Sequence, residues 1–408
     1  MTSAAARWLM VAGCAATLAL VVAVPSIQPS RGSADGPFTR FAGSLAEVLA
    51  ADGWLAANRS LLASMDELER GLERDSVLMR SALPTAQQLL SAWGGVGNEK
   101  VYLGDDGWLF FRPGVDYSTG PPFLDPAVLE RRARSGESWQ NPPQPDPLAA
   151  VLDFHRQLES RGIRLLVLPA PTKAMIYPEK LRSSTSADAS FHNPAFAAFR
   201  AQLERHGVEV FDPAAALLEA KNSGDEDVFL RTDSHWSPAG LEAVAAALAE
   251  RLRDLGFGSP GLPGARRAAV VHRGDGDLER MLELPEDSSW PPPEKVRLRR
   301  VVGVADDRPP AILLLGDSFS NVFSQDHLGW GKDAGLAEQL AFELGEPVER
   351  LAVDAGGAWS SRQKLAGDPG RLAGKRLVIY QFAVRELAIG DWRLIQLPAP
   401  LPPVPSPP

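Results

Sequence analysis

Short, uninterrupted apolar runs separated by helix-patterned stretches constrain this chain more than any other feature. Ile163-Arg-Leu-Leu-Val-Leu168, Val208-Glu-Val-Phe211, Ala311-Ile-Leu-Leu-Leu315, Val348 to Val353 and Leu377-Val-Ile-Tyr-Gln-Phe382 read as strands. Leu148 to Ser160, Pro194 to His206, Pro238 to Leu255 and Ala334 to Leu344 read as amphipathic helices. A strand with no polar face must be covered on both sides, which helical crossovers do for parallel strands. The expected fold class is α/β, a mostly parallel central sheet between two layers of helices. No internal repeat interrupts it.

At 408 residues there is room for additional segments. Trp8 to Val24 is an almost unbroken apolar run behind Arg7, which favours an N-in orientation. It reads as an uncleaved anchor in the inner membrane, because Ala23-Val24-Pro25 makes a poor cleavage site; a cleaved signal peptide is the alternative. Both place the rest of the chain outside the cytoplasm. The expected boundaries are 1–30 for anchor and linker, 31–98 for a helical stalk or cap, 99–396 for the main domain and 397–408 for a disordered Pro-rich tail. Val101 to Phe111 reads as strand, turn and strand, and 112–147 as a loop with Pro-rich patches. Charged residues make up 23% of the chain and the net charge is -9; with no basic excess or basic stripe, no nucleic-acid partner is expected. The single cysteine, Cys14, excludes an internal disulfide and a cysteine metal site.

Two segments carry chemistry. Gly316-Asp317-Ser318 directly follows the strand ending at Leu315, so the serine falls at the carboxyl edge of the sheet and at a helix start. There a developing negative charge and an oxyanion are favoured by backbone N–H groups, and Gly316 lets the backbone approach closely. Asp-Ser as a simple helix cap is the plainer reading. Serine also needs a base. Thr232-Asp233-Ser234-His235-Trp236 offers one just ahead of the helix at Pro238, with Asp233 two residues from His235 and able to orient it. Trp236 is placed to shield the pair from water and to line a substrate site. Ser237 and Pro238 also read as an ordinary helix start. His327, close to Ser318 in sequence, is the rival base. His155 and His206 fall on helices, and His192 and His272 in loops. A metal on Asp233 and His235 lacks further ligands at recognisable spacing, so no cofactor is expected.

Together these residues resemble the alginate O-acetyltransferase family, AlgJ/AlgX-like proteins of SGNH-hydrolase type, in which Asp-x-His-Trp precedes Gly-Asp-Ser-Phe. Gly104 to Phe110, Pro169 to Lys173 with Ile176-Tyr177-Pro178, and Tyr380 to Leu387 are similar to further family segments. The resemblance spans about residues 99–390 and implies an SGNH-like three-layer α/β/α fold, a Ser318-His235-Asp233 triad and O-acetylation of an exported, alginate-like polysaccharide. It also implies an acetyl donor handed over by a membrane acyltransferase partner. Lys173, Tyr177 and Arg385 become acceptor-binding candidates, beside their plainer readings as surface charge and core tyrosine. The oxyanion candidates are the Ser318 N–H, Asn321 and the Gly356-Gly357 turn. Gln381 and Val384 depart from the family's two glutamates, and no C-terminal carbohydrate-binding module is expected. An esterase and a non-catalytic polysaccharide-binding scaffold remain as alternatives.

Overall fold

A computed structural model describes residues 37–398 apart from 52, 76, 136–141, 182–190, 225, 286–287, 289 and 305. The apolar run Trp8 to Val24 and all but the first two residues of the expected tail lie outside the described residues. Among the described residues no helix is long and apolar enough to cross a membrane.

The chain divides into two units. One holds the helices Pro37–Ala50, Trp54–Asp75 and Val77–Gly94, within the span 31–98 that the sequence reads as helical. The other holds nine strands among the described residues. β1 (Val101–Leu103) and β2 (Leu109–Phe111) form an antiparallel hairpin, as the sequence suggests. β3 (Arg164–Ala170) and β4 (Glu209–Val210) begin the main sheet. β5 (Arg266–Gly274) and β6 (Glu294–Val302) pair only with each other, antiparallel; β7 (Ile312–Gly316), β8 (Val348–Ala352) and β9 (Leu377–Ala383) complete the sheet. Its order is β4-β3-β9-β7-β8, with every pair parallel.

The burial follows from that order. The inner strands β7 and β9 are buried throughout and β3 at all but its first residue, while the edge strand β8 is mostly half-buried. Helices Pro147–Glu159, Phe196–Arg205, Pro238–Asp254 and Leu336–Leu344 turn their apolar stripes to a core that includes Phe154, Phe199, Leu248 and Leu340.

Three expectations need correction. Residues 112–147 are not a long loop: helices Arg112–Thr119 and Pro126–Ala133 occupy much of it. The prolines there start helices, because a first-turn N–H has no helical partner to lose, and Asp125 caps the second helix by accepting the Ala127 N–H. His272 lies on β5, not in a loop. A basic stripe does exist: β5 and β6 carry seven lysines and arginines against one acid. At the start of the expected tail, Leu397 is buried and its N–H donates to Gln157 Oε1 at 2.7 Å.

Candidate active site

Ser318 opens the short helix Ser318–Asn321 at the carboxyl end of β7. The turn before it is tied to β9. Asp317 Oδ1 accepts the Phe319 N–H at 2.9 Å and the Gln381 amide at 2.8 Å, and Oδ2 accepts the Ala383 N–H at 2.7 Å. Gln381 Oε1 accepts the Asp317 N–H and the Ser320 hydroxyl. The neutral amide of Gln381 can thus donate to Asp317, which a carboxylate in its place would repel. A Cβ on Gly316 would stand 2.3 Å from Ser320 Oγ, so this position has no room for a side chain.

The second junction is a narrow loop in which Leu230 N–H donates to His235 O, and Ser237 N–H to Val228 O. It brings Asp233 and His235 beside the serine. His235 Nε2 lies 2.7 Å from Ser318 Oγ, and its Nδ1 lies 2.6 Å from Asp233 Oδ1. With Nδ1–H donating to the carboxylate, Nε2 is left to accept the serine proton. Asp233 is held by four donors. Oδ1 also accepts the His235 N–H at 3.0 Å; Oδ2 accepts the Asp277 N–H at 3.0 Å and the Trp330 indole at 2.9 Å.

A second carboxylate stands close by. Asp277 accepts the Ser234 N–H at 2.7 Å and the Ser234 hydroxyl at 2.6 Å, and its Oδ2 lies 3.9 Å from His235 Nδ1. Burial, the largest single influence, pushes the His235 pKa down, but the charge and hydrogen bond of Asp233 together with the charges of Asp277 and Asp317 outweigh it and raise the imidazole above its ordinary value. Burial pushes the Asp233 carboxyl up, and the imidazole's charge and hydrogen bond more than reverse this, holding it below the usual range. Burial and the neighbouring Asp233 charge raise Asp277. Asp233, His235 and Asp277 lie close enough to suit a cation. Their lone pairs, however, already face N–H and O–H donors, which is the arrangement of a hydrogen-bond relay.

The remaining candidates separate clearly. Lys173 is 3% exposed and donates to Leu109 O at 2.6 Å and Arg231 O at 2.9 Å; burial lowers it to about 8. It ties the β1–β2 hairpin to the triad loop instead of presenting a charge at the surface. Tyr177 is a core residue: its hydroxyl accepts the Val228 N–H at 2.9 Å and its ring packs on Trp108. Trp236 is fully buried and cannot line a substrate site; its indole donates to Phe319 O at 3.1 Å, locking the two junctions together. Asn321 spends its amide on Asp354 and its oxygen on Arg350, so it is not free to hold an oxyanion. His327 pairs with Asp354 at 2.6 Å, away from the base position that His235 fills. Arg385 is half-buried over the rings of Phe111 and Phe319, and lines a small cavity with Lys173 and Ser234. Gly357 lies in the turn after β8, at a φ of 62°, facing Glu386. The Ser318 N–H stands in the first turn of its helix, where no helical carbonyl reaches it.

Residues 101–384 match the family model described as SGNH hydrolase-like domain, acetyltransferase AlgX. The chain belongs to this family. Among curated relatives of this SGNH-like acetyltransferase, the probable alginate O-acetylase AlgJ of Pseudomonas aeruginosa is 28% identical over 315 residues, 72% of each chain. That of Pseudomonas putida is 28% identical over 309 residues, 71% of each. The solved O-acetyltransferase domain of Pseudomonas putida AlgJ superposes with a TM-score of 0.53 at 26% identity, covering 71% of this chain and 93% of that one. The shared fold is the SGNH-like arrangement of central parallel sheet and flanking helices.

Asp277, Trp330, Glu294 and Gln381 escape sequence reasoning as site residues. Glu294 accepts the Arg231 and Thr232 N–H groups and so holds the base of the triad loop. Only Gln381 leaves a trace in the sequence, as a departure from the family pattern. The others join the site through contacts between residues 43 to 97 positions apart, which no local spacing announces.

Proposed function

We propose that this O-acetyltransferase moves an acetyl group onto hydroxyls of an exported, alginate-like polysaccharide through an acyl-enzyme on Ser318. The observation that carries the reading is the continuous chain Asp233–His235–Ser318, with contacts of 2.6 and 2.7 Å. Ser318 Oγ attacks the donor's acyl carbon as its proton passes to His235 Nε2. The negative charge on the carbonyl oxygen falls to the Ser318 N–H, with the Gly357 turn as a second donor. The carbonyl re-forms, the leaving group departs with the proton from His235, and acetyl-Ser318 remains. A sugar hydroxyl then attacks, gives its proton to His235, and the proton returns to Ser318 Oγ.

Two partners belong to this reading. The AlgJ relatives, probable alginate O-acetylases, support an alginate-like acceptor, and Arg385, at the cavity beside Ser234, would pair with a sugar carboxylate. A membrane acyltransferase supplies the acetyl group, and the apolar run Trp8 to Val24 tethers the enzyme on the outer side of the inner membrane.

The test uses the full-length protein in detergent with a simple acetyl ester and an oligouronate acceptor. Transfer to the sugar should outpace hydrolysis. Ser318→Ala and His235→Ala should each lower turnover by on the order of 10⁴-fold or more, since triad members act as a unit. Hydrolysis that no acceptor accelerates would favour the esterase. Undiminished turnover in Ser318→Ala would remove the serine mechanism.

A further inference from the structure

The β5–β6 ribbon is a basic surface on an acidic chain. Three arginines on β5 and a lysine and three arginines on β6 face a single acid, Glu294, in a protein of net charge -9. Residues directly opposed in an antiparallel pair share a face. Arg273 thus stands beside Lys295, Val271 beside Arg297, and Ala269 beside Arg299. Acids neutralise the far part of the ribbon: Arg299 pairs with Glu242 at 3.1 Å, Arg267 with Glu343 at 2.8 Å, and Arg300 with Asp333. Arg273, Lys295 and Arg297 are exposed and have no ion pair among the described residues.

These three cations stand at the end of the ribbon nearest the triad. Gly274 pairs with Glu294, whose carboxylate holds the N–H of Thr232, the residue before Asp233. Lys295 and Arg297 project on one face about 7 Å apart, two strand residues of rise. With Val271 they wall a groove of about 620 Å³ that runs past Arg231 and Thr232. Of the groove's acids, Asp106 is tied to Lys180 at 2.6 Å, Asp227 to Arg231 at 2.9 Å, and Glu294 to backbone N–H groups; Glu226 is left against the two lysine and arginine charges.

We propose that this groove is the track for the acceptor polymer, a polysaccharide with a carboxylate on its sugars, gripped by Lys295 and Arg297 in its wall and by Arg273 on the strand beside Lys295. The proposal rests on the reading of the chain as a transferase to a uronate-type polymer. Cations spaced along a strand, not converging on a point, suit repeated charges on a chain better than one compact anion. A concave groove admits a polymer and excludes a bilayer face. Val271, 69% exposed between the cations, offers an apolar contact for the face of a sugar ring.

The experiment measures binding to an alginate-derived oligouronate by full-length protein in detergent, with Ser318→Ala present to stop turnover. Adding K295Q and R297Q should raise Kd about tenfold, the sum of two exposed charge contacts. K295R with R297K should keep the affinity, and salt should weaken it. A neutral oligosaccharide of equal length should bind poorly to every form. An unchanged Kd in the K295Q/R297Q protein, or equal binding of the neutral sugar, overturns the track. So does tighter binding of anionic-lipid vesicles or a DNA oligonucleotide through the same two residues. Acetyl transfer is read separately: an enzyme that binds the oligouronate through Lys295 and Arg297 but never acetylates it leaves the track standing and fails the transferase reading.

Discussion

Asp277 holds the triad loop with its backbone and its side chain at once, donating an N–H to Asp233 and accepting twice from Ser234. It also places a second negative charge 3.9 Å from the imidazole. A base must be neutral to accept the serine proton, so activity is lost as pH falls through the His235 pKa, which its carboxylate neighbours raise. Asp277→Asn keeps an acceptor for Ser234 and removes the charge. The acid limb of the kcat/KM profile should therefore move to lower pH, and the optimum value should fall about tenfold, the weight of one charge-assisted hydrogen bond. A profile that superposes on the wild type would show that Asp277 only packs. Asp233, His235 and Ser318 are legible in the sequence because each stands at or just ahead of a helix start with a local signature, although only Ser318 follows a strand; Asp233 and His235 lie in the loop between helices Ala214–Ser223 and Pro238–Asp254. Asp277 and Trp330 are not, since a hydrogen bond across a fold leaves no spacing to read. Buried Lys173 and Tyr177 show the opposite error: a motif marks them, and the motif serves packing.

The parallel strands are legible because burial on both faces leaves them apolar throughout, as in β7 and β9. The β5–β6 ribbon is not. It lies outside the main sheet; β6 alternates polar and apolar residues from Lys295 to Arg299, but its partner β5 shows neither alternation nor a long apolar run, so the sequence marks no matching pair of strands. The helices within 112–147 are hidden by prolines that open them. The link between ribbon and triad loop depends on Gly276. A Cβ there would stand 1.9 Å from Thr232 O and 2.7 Å from the Asp233 nitrogen. Gly276→Ala should separate the two segments, cost about 1–3 kcal/mol of stability from overpacking, and lower turnover further than that loss explains. Denaturant unfolding alongside kinetics checks this; unchanged values in both would mean that the loop accommodates the methyl group freely.

For the chain as a whole, the fold class and the converging edge of the sheet follow from the sequence, while the order of strands does not. β9 comes last yet lies between β3 and β7, where Gln381 and Ala383 reach Asp317 beside the nucleophile. A site assembled from β7, β9, the triad loop and the ribbon exists only once every crossover is made. If acetyl passes through Ser318, it can be caught there. Full-length protein is mixed with a simple activated acetyl ester, quenched, digested and weighed peptide by peptide. Transfer through Ser318 predicts one acetyl group on that residue, discharged faster by an oligouronate than by water and absent from Ser318→Ala. Acetylation of the sugar with Ser318 never modified, and undiminished when Ser318 is alanine, would contradict it.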